Sequence, residues 1–459
     1  MTETGARFRL PHPVILLGAA VLLAAVLTWI LPAGQYDRRD DPATGRHVVV
    51  AGTYHATPAA PVGPFAAAVA FPRGFIAAAD VIVLVLLVGG AWVVVDRLGT
   101  LPAVVGWLVD RFERRGLVVI PIIAVFFGAM GALENMQEEI IPLVPVLMVL
   151  GAGIGVDAVT VVAMSLGAAA VGSAFGPTNP FQAGIALKLA QLPPLGRGGL
   201  RLTMLVAGLA VWIALTMMHA ARHRRDVRLK PDSTTPAARR PGPTTPGFAR
   251  VSSRHWLVMA IIVSPLAAYV YGALRLDWGL NELSGAFLAA GLVAGVVGGF
   301  GLTRTVTTYL DGMMSVLPAA AMVGVARSIS LVLDDGRVVD TMLHALVTPL
   351  ARVPAVAAVV LMIPVQALVH VPVPSVSGQA VLTMPLFVPI ADLLAFSREA
   401  VVLAYQTGAG LCELVTPTNG ALMAVLLAAG VSLQRWLRFA VVGVAALALL
   451  GLVAAAFAM

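Results

Sequence analysis

The sequence predicts an all-α polytopic membrane protein built from two inverted repeats. Three observations carry that expectation: the composition, a series of apolar runs long enough to cross a bilayer, and two interrupted runs in matching places. Of 459 residues, 59% are apolar and 12% charged, and the mean hydropathy is +0.92. A soluble domain has roughly 45–50% apolar and about 25% charged residues. This chain has more apolar surface than a water-soluble core can bury, so lipid must solvate the remainder. One cysteine, Cys412, excludes an intrachain disulfide, and the eight histidines lack the spacing of a structural zinc site. The net charge of +7 reads as the basic excess of cytoplasmic loops, and no nucleic-acid motif accompanies it.

The elements follow in order. Arg7 and Arg9 precede the apolar run Val14 to Leu31. The run is taken as a first span with its N-terminus inside, because Leu31-Pro32-Ala33-Gly34-Gln35-Tyr36 makes a poor cleavage site. A polar stretch, Ala33 to Arg73, precedes a second span from Phe75 to Val95. In Leu101 to Arg115, apolar residues recur at helical spacing and charges crowd the end, the pattern of a helix lying on the cytoplasmic surface. The next apolar stretch, 117–153, is split near its middle by Glu134-Asn135-Met136-Gln137-Glu138-Glu139. Each limb is about 20 to 25 Å long as helix, too short for a hydrocarbon core of about 30 Å. The stretch is therefore expected to be a re-entrant hairpin with a polar tip. A span over 159–192 is broken by Gly176-Pro177-Thr178-Asn179-Pro180, and Leu200 to Met218 closes the half.

Residues 223–255 form a basic linker, cytoplasmic by the positive-inside rule, with a Thr/Pro-rich centre from Pro231 to Gly247. A connecting span occupies 256–283. The second unit, 284–459, contains spans at Ser284 to Leu302 and Val316 to Leu333, an interfacial helix from Val338 to Arg352, and a hairpin over 354–394. The tip of that hairpin carries Ser375, Ser377, Gly378 and Gln379. A broken helix over 399–430 and a last span from Phe439 to Phe457 complete it. About nine spans and two hairpins result. Pro177-Thr178-Asn179 recurs as Pro417-Thr418-Asn419, and Gly99 recurs as Gly336 before the interfacial helices. An offset of about 240 residues in both cases indicates duplication. The span at Trp256 inverts the second copy of the unit that occupies 1–222.

Inverted repeats with helices interrupted at mid-membrane are the architecture of secondary transporters, where two symmetry-related gates flank one site. Proline ends a helix and frees carbonyls, Thr and Asn supply coordinating groups, and the half-helix beyond offers its positive dipole end. Thr178, Asn179, Thr418 and Asn419 are therefore candidate binding residues, with a purely structural kink as the alternative. Asn135, Gln137, Glu138 and Glu139 join them, since carboxylates at membrane depth are functional by default; the alternative is that they face water. Ser375, Ser377, Gly378 and Gln379 suit neutral hydrogen bonding or sodium coordination. Arg327 and Glu413 contact substrate or form a structural ion pair, and His344 and His370 are read as packing residues. The glycine-rich loop of a nucleotide site is absent, as is any nucleophile and base set of an intramembrane enzyme.

The runs Leu27-Thr28-Trp29-Ile30-Leu31-Pro32-Ala33-Gly34-Gln35-Tyr36, Gly324-Val325-Ala326-Arg327-Ser328-Ile329, Ser377-Gly378-Gln379-Ala380-Val381-Leu382-Thr383-Met384-Pro385 and Arg435-Trp436-Leu437-Arg438-Phe439 resemble those of YfcC-type transporters. The chain outside the linker is similar to the DcuC-like carriers named for four-carbon dicarboxylates, within the ion transporter superfamily. That resemblance implies an elevator-type carrier. Its scaffold would be able to form a homodimer, and its transport domain would consist of both hairpins and both broken helices. The Ser-Asn-Thr tip signatures of sodium-coupled relatives are replaced here around Asn135 and Ser377, which leaves sodium, a proton or exchange open as the coupling. Basic amino acids as well as carboxylates are implied as substrates. The expectation is a secondary active transporter of a small organic carboxylate or amino acid, in the inner membrane of a bacterium. It needs no cofactor beyond a coupling ion and no partner beyond substrate and bilayer. An exchanger of basic amino acids or amines and a passive channel are its rivals.

Overall fold

The computed structural model describes residues 13–42, 46–104, 107, 116–177, 179–193, 196–229, 251–276 and 278–459. Most of the expected interfacial helix at Leu101 to Arg115 and all of the Pro231 to Gly247 linker centre lie outside the described residues. Helix α1 (Pro13–Ile30) leads to two short antiparallel ladders, β1 (Gly34–Gln35) with β4 (His55–Ala56) and β2 (Arg38–Asp41) with β3 (Arg46–Val49). The molecule is mostly helical, as expected, with a small β cap that the sequence reading did not anticipate. The physical reason is local, since Val48 and Val49 are β-branched and buried on the ladder. The cap docks through Tyr36, whose backbone N–H donates to Asp340 (3.0 Å), and through Tyr54, whose ring stacks on His344 at 4.1 Å between centroids.

Helices α2 (Pro64–Ala77) and α3 (Ala79–Arg97) follow. The first two-limbed stretch is α4 (Val119–Glu134), a tip, a 3-10 turn (Glu138–Leu143) and α5 (Val144–Ile154). The first broken helix is α6, running from Ala158 to Phe175 with a π turn at Ala163–Gly167, then α7, a π turn at Pro180–Gly184 continuing as Ile185–Leu189. Next come α8 (Gly198–Leu229), α9 (Ser253–Arg275), α10 (Leu280–Val297) and α11 (Gly301–Asp335). The turn between α10 and α11 uses Gly299 (φ +89°) and Gly301 (φ +70°), a conformation only glycine adopts freely. It falls earlier than expected, so the polar stretch at 302–315 is a helical extension of α11 and not a loop.

The segment expected to lie at the interface is α12 (Val339–Val347) with a 3-10 turn (Thr348–Arg352). The second two-limbed stretch is α13 (Ala355–His370) and α14 (Val376–Leu393), and the second broken helix is α15 (Arg398–Cys412) and α16 (Gly420–Ala428). The chain ends with α17 (Leu433–Phe457). Among the described residues seven helices are long and apolar enough to cross a membrane, against the nine spans expected. The seven include α6 and α14, read from sequence as half of a broken span and a hairpin limb, and leave out α1 and α9.

Polar clasps mark the two ends of the molecule. At one, Asp157 accepts from Arg435 (2.9 Å) and pairs with His219 (3.3 Å). Burial pushes the Asp157 carboxyl up, but the hydrogen bonds from His219 and Thr160 outweigh it and hold the group below the ordinary carboxylate range. At the other end Arg398 grips Asp392 (2.8 Å) and the Ala190 carbonyl (3.1 Å), Arg197 donates to the Phe457 carbonyl (3.3 Å), and Arg201 pairs with Glu399 (2.9 Å). The α4–α5 stretch opens at the Asp157 end and the α13–α14 stretch at the Asp392 end, and their tips meet between. Leu22, Leu23, Val441, Val442 and Leu449 are exposed on the perimeter, as a lipid-facing surface requires.

Candidate functional site

Two helix breaks and two tips build the centre of the molecule. Each break follows the same local logic: proline cannot continue the ladder, and the asparagine after it caps the next helix. Asn179 Oδ1 accepts from the N–H groups of Phe181 (2.9 Å) and Gln182 (3.0 Å), and Asn419 Oδ1 accepts from that of Leu422 (3.2 Å). The first tip turns at Asn135, which caps α4 in the left-handed conformation at φ 58°. The second begins α14 at Ser375, whose Oγ accepts from the Gly378 N–H (3.2 Å).

A cavity of about 320 Å³ lies where these four features converge. The first tip contributes Asn135, Gln137 and Glu138, and the second contributes Ser375 and Ser377. Glu413, Thr418 and Asn419 come from the second break, while Gly420 and Ala421 turn the N-terminus of α16 towards the same space. Opposite them stand Asp80 on α3 and Arg327 and Ser330 on α11. Seven of the twelve residues singled out in the sequence therefore line one cavity.

Four of the others do not reach it. Asn179 is fully buried, its amide donating to the Gly131 carbonyl (3.2 Å) and to Ser173 Oγ (3.1 Å). Ser173 in turn donates to Asn135 Oδ1. Glu139 is buried behind the tip and accepts from the Gln137 N–H (3.1 Å). Gly378 lies one residue behind the lining, and Gln379 is fully buried, donating to the Gln366 carbonyl and side-chain oxygen (both 2.7 Å). Thr178 lies outside the described residues.

Two charged residues outside those twelve also belong to the lining. Arg327 is exposed to the cavity and bonds Ser330 Oγ (3.4 Å), and no ion pair joins it to Glu413 among the described residues. Asp80 is also in the wall. Sequence held a signal for both, since a charge inside an apolar helix is a functional candidate until a partner is found. Glu413 is held from the opposite half of the chain: its carboxylate accepts from the Gln137 amide at the first tip. The wall thus offers one guanidinium, three carboxylates, hydroxyls, amides and a helix N-terminus. That set can bind a small molecule bearing both a carboxylate and a cationic group.

Comparison with known proteins agrees with a transport role. Residues 10–459 match the family described as C4-dicarboxylate anaerobic carrier, DcuC. The Escherichia coli (strain K12) protein named "Putative basic amino acid antiporter YfcC" is 26% identical over 94% of this chain and 93% of its own length. An uncharacterised protein of Haemophilus influenzae is 24% identical over 97% and 96% of the two chains. Among solved structures, the Alcanivorax borkumensis YdaH transporter is similar over 97% of this chain and 98% of that one, with 17% identity and a TM-score of 0.44. The family and the first of these relatives are transporters and not enzymes. On a match that spans nearly its whole length, this multi-pass membrane chain belongs to the C4-dicarboxylate anaerobic carrier family.

Proposed function

We propose that the chain is a secondary active transporter of amino acids, with cationic ones favoured, in the inner membrane of a bacterium. The observation that carries this reading is the charge of the wall: Arg327 stands alone against Asp80, Glu138 and Glu413. A four-carbon dicarboxylate would bring two negative charges to a site with one cation and three carboxylates, and like charges in a low-dielectric cavity repel strongly. An amino acid satisfies both signs. Its carboxylate faces Arg327 and the N-terminus of α16, and its amines face the carboxylates. The name of the Escherichia coli relative supports the same class.

Transport is read as an elevator movement. The α4–α5 and α13–α14 hairpins with both broken helices form the moving part, and α3 and α11 belong to the scaffold across the cavity. The inverted repeat of 1–222 and 284–459, separated by the linker at 223–255 and the span at 256–283, explains why hairpins open at opposite ends. Counterflow in proteoliposomes tests the function. Vesicles loaded with L-arginine or L-lysine should accumulate labelled L-arginine transiently, and vesicles loaded with succinate or fumarate should not. Trans-stimulation by the dicarboxylates alone would replace this substrate class by the four-carbon dicarboxylates of the family's description, and flux without trans-stimulation would indicate a channel.

A further inference from the structure

His370, at the last turn of α13, is fully buried and takes no part in lining the cavity. Its hydrogen bonds determine its tautomer. The Gln379 amide nitrogen is committed to Gln366, so Gln379 Oε1 is the atom facing His370 Nδ1 at 2.9 Å, and Nδ1 must carry the hydrogen. The neutral ring then presents a bare Nε2. That atom is buried without a hydrogen-bond partner, and it faces Glu413 Oε1 at 3.9 Å. The other Glu413 oxygen is occupied by the Gln137 amide. Two acceptors are therefore set against each other in a buried place, an arrangement that costs free energy and that a single proton reconciles.

We propose that His370 and Glu413 form the binding site of the coupling proton, held between His370 Nε2 and Glu413 Oε1. The balance is simple: the empty pair carries one negative charge, and uptake of one proton makes it neutral whichever atom holds it. Because Glu413 also lines the cavity, the proton and a substrate ammonium compete for one carboxylate. The pair thus exchanges a proton for a cationic group, which defines antiport; this rests on the carrier reading above. The first break has no such pair. Among the described residues, Ser173, Asn135 and Asn179 occupy the corresponding ground and are neutral.

The surroundings leave the pair available. Near it stand Cys412, whose Sγ donates to the Ala367 carbonyl (3.3 Å), and Glu138 from the first tip, with Arg327 and Asp80 across the cavity. The charged groups on the other elements packed against α13 are engaged: Glu399 with Arg201, Asp392 with Arg398, Arg435 with Asp157, Asp340 with Arg38, and His344 with the Tyr36 hydroxyl. Arg352 and Arg438 are exposed.

The test uses the full chain in proteoliposomes with a trapped pH dye, adding external L-arginine while counterflow is followed in parallel. Wild-type vesicles should alkalinise inside as arginine enters. His370→Gln places an amide donor about where Nε2 lies and favours the charged carboxylate. It should lower the pH of half-maximal proton exchange by a unit or more, read against its own counterflow at symmetric pH. Glu413→Gln should abolish alkalinisation. Should His370→Gln elute as aggregate, His370→Asn replaces it. An unshifted pH profile in a folded His370 variant overturns the proposal, as does wild-type counterflow without proton movement, which leaves the carrier reading intact. If no counterflow of arginine or lysine is seen, the carrier reading fails, and infrared difference spectra across pH decide the pair by themselves. A band of the protonated carboxyl, or of the imidazolium where the proton sits on His370, that is lost in Glu413→Gln supports it, and the absence of both bands overturns it.

Discussion

Arg327 is the cavity's only guanidinium among the described residues, and its exposure to the cavity makes a substrate carboxylate its natural partner. Arg327→Gln should weaken binding of any amino acid tenfold or more, about 1.4 kcal/mol, as read from ligand-induced thermal shift. Arg327→Lys should recover part of that, because a point charge replaces the fork but not its planar geometry. Equal shifts for wild type and Arg327→Gln would remove Arg327 from the site. Asn179 and Asn419 act differently. Both spend their oxygens on caps, so replacement by Ala costs about 1 kcal/mol of local stability and releases the half-helix that the cavity is built on. Asn179→Ala and Asn419→Ala should each abolish transport with membrane insertion nearly intact, and normal uptake by both would contradict this placement. Much of this was legible in sequence, because Pro-Thr-Asn and the charged tip are local patterns. His370 was not. Its meaning depends on Gln379 and Glu413, which only the fold brings together, and a lone histidine in an apolar run is usually a packed one.

At the scale of elements, two-limbed stretches and breaks could be placed because limb length and proline position are properties of a short stretch of chain. How tightly they pack could not. Gly131 on α4 lies against the Ala169 carbonyl of α6, and Gly172 on α6 lies against the Gly128 carbonyl of α4, with no room for a Cβ at either. Such contacts let two backbones approach closely, the packing that membrane helices favour. Gly131→Val should therefore separate α4 from α6, carry Asn135 with it, and reduce folded yield or abolish counterflow. A folded variant transporting normally would show that the hairpin tolerates a wider gap. The Arg201–Glu399 pair makes a second case. Arg201 is 1% exposed, and its Nε and Nη1 have no partner. Glu399→Gln should cost about 3–5 kcal/mol by leaving a buried charge uncompensated, and Arg201→Met combined with Glu399→Leu should recover most of it. Thermal unfolding in detergent measures both. Sequence missed this pair because its members belong to different halves of the chain.

For the whole molecule, the decisive quantity is which end faces the cytoplasm. The chain's own contacts sort its loops into two groups. Asp157, His219 and Arg435 share one end, and the linker at 223–255 leaves from there, directly after His219. The C-terminal Phe457 is at the other end with Arg197, and Gln191 with Arg398. The linker carries Arg224, Arg225, Arg228 and Lys230 in quick succession, and such an excess of basic residues stays on the cytoplasmic side. On that rule the Asp157 end is expected inside and the C-terminus outside. Reporter fusions after Lys230 and Arg240 should be active in the cytoplasm, and a fusion at Met459 outside it. Both fusions on one side would be incompatible with the contacts just named, whatever the orientation. A C-terminal reporter inside with a linker reporter outside would instead preserve the architecture and reverse the direction in which Glu413 and His370 meet a proton gradient.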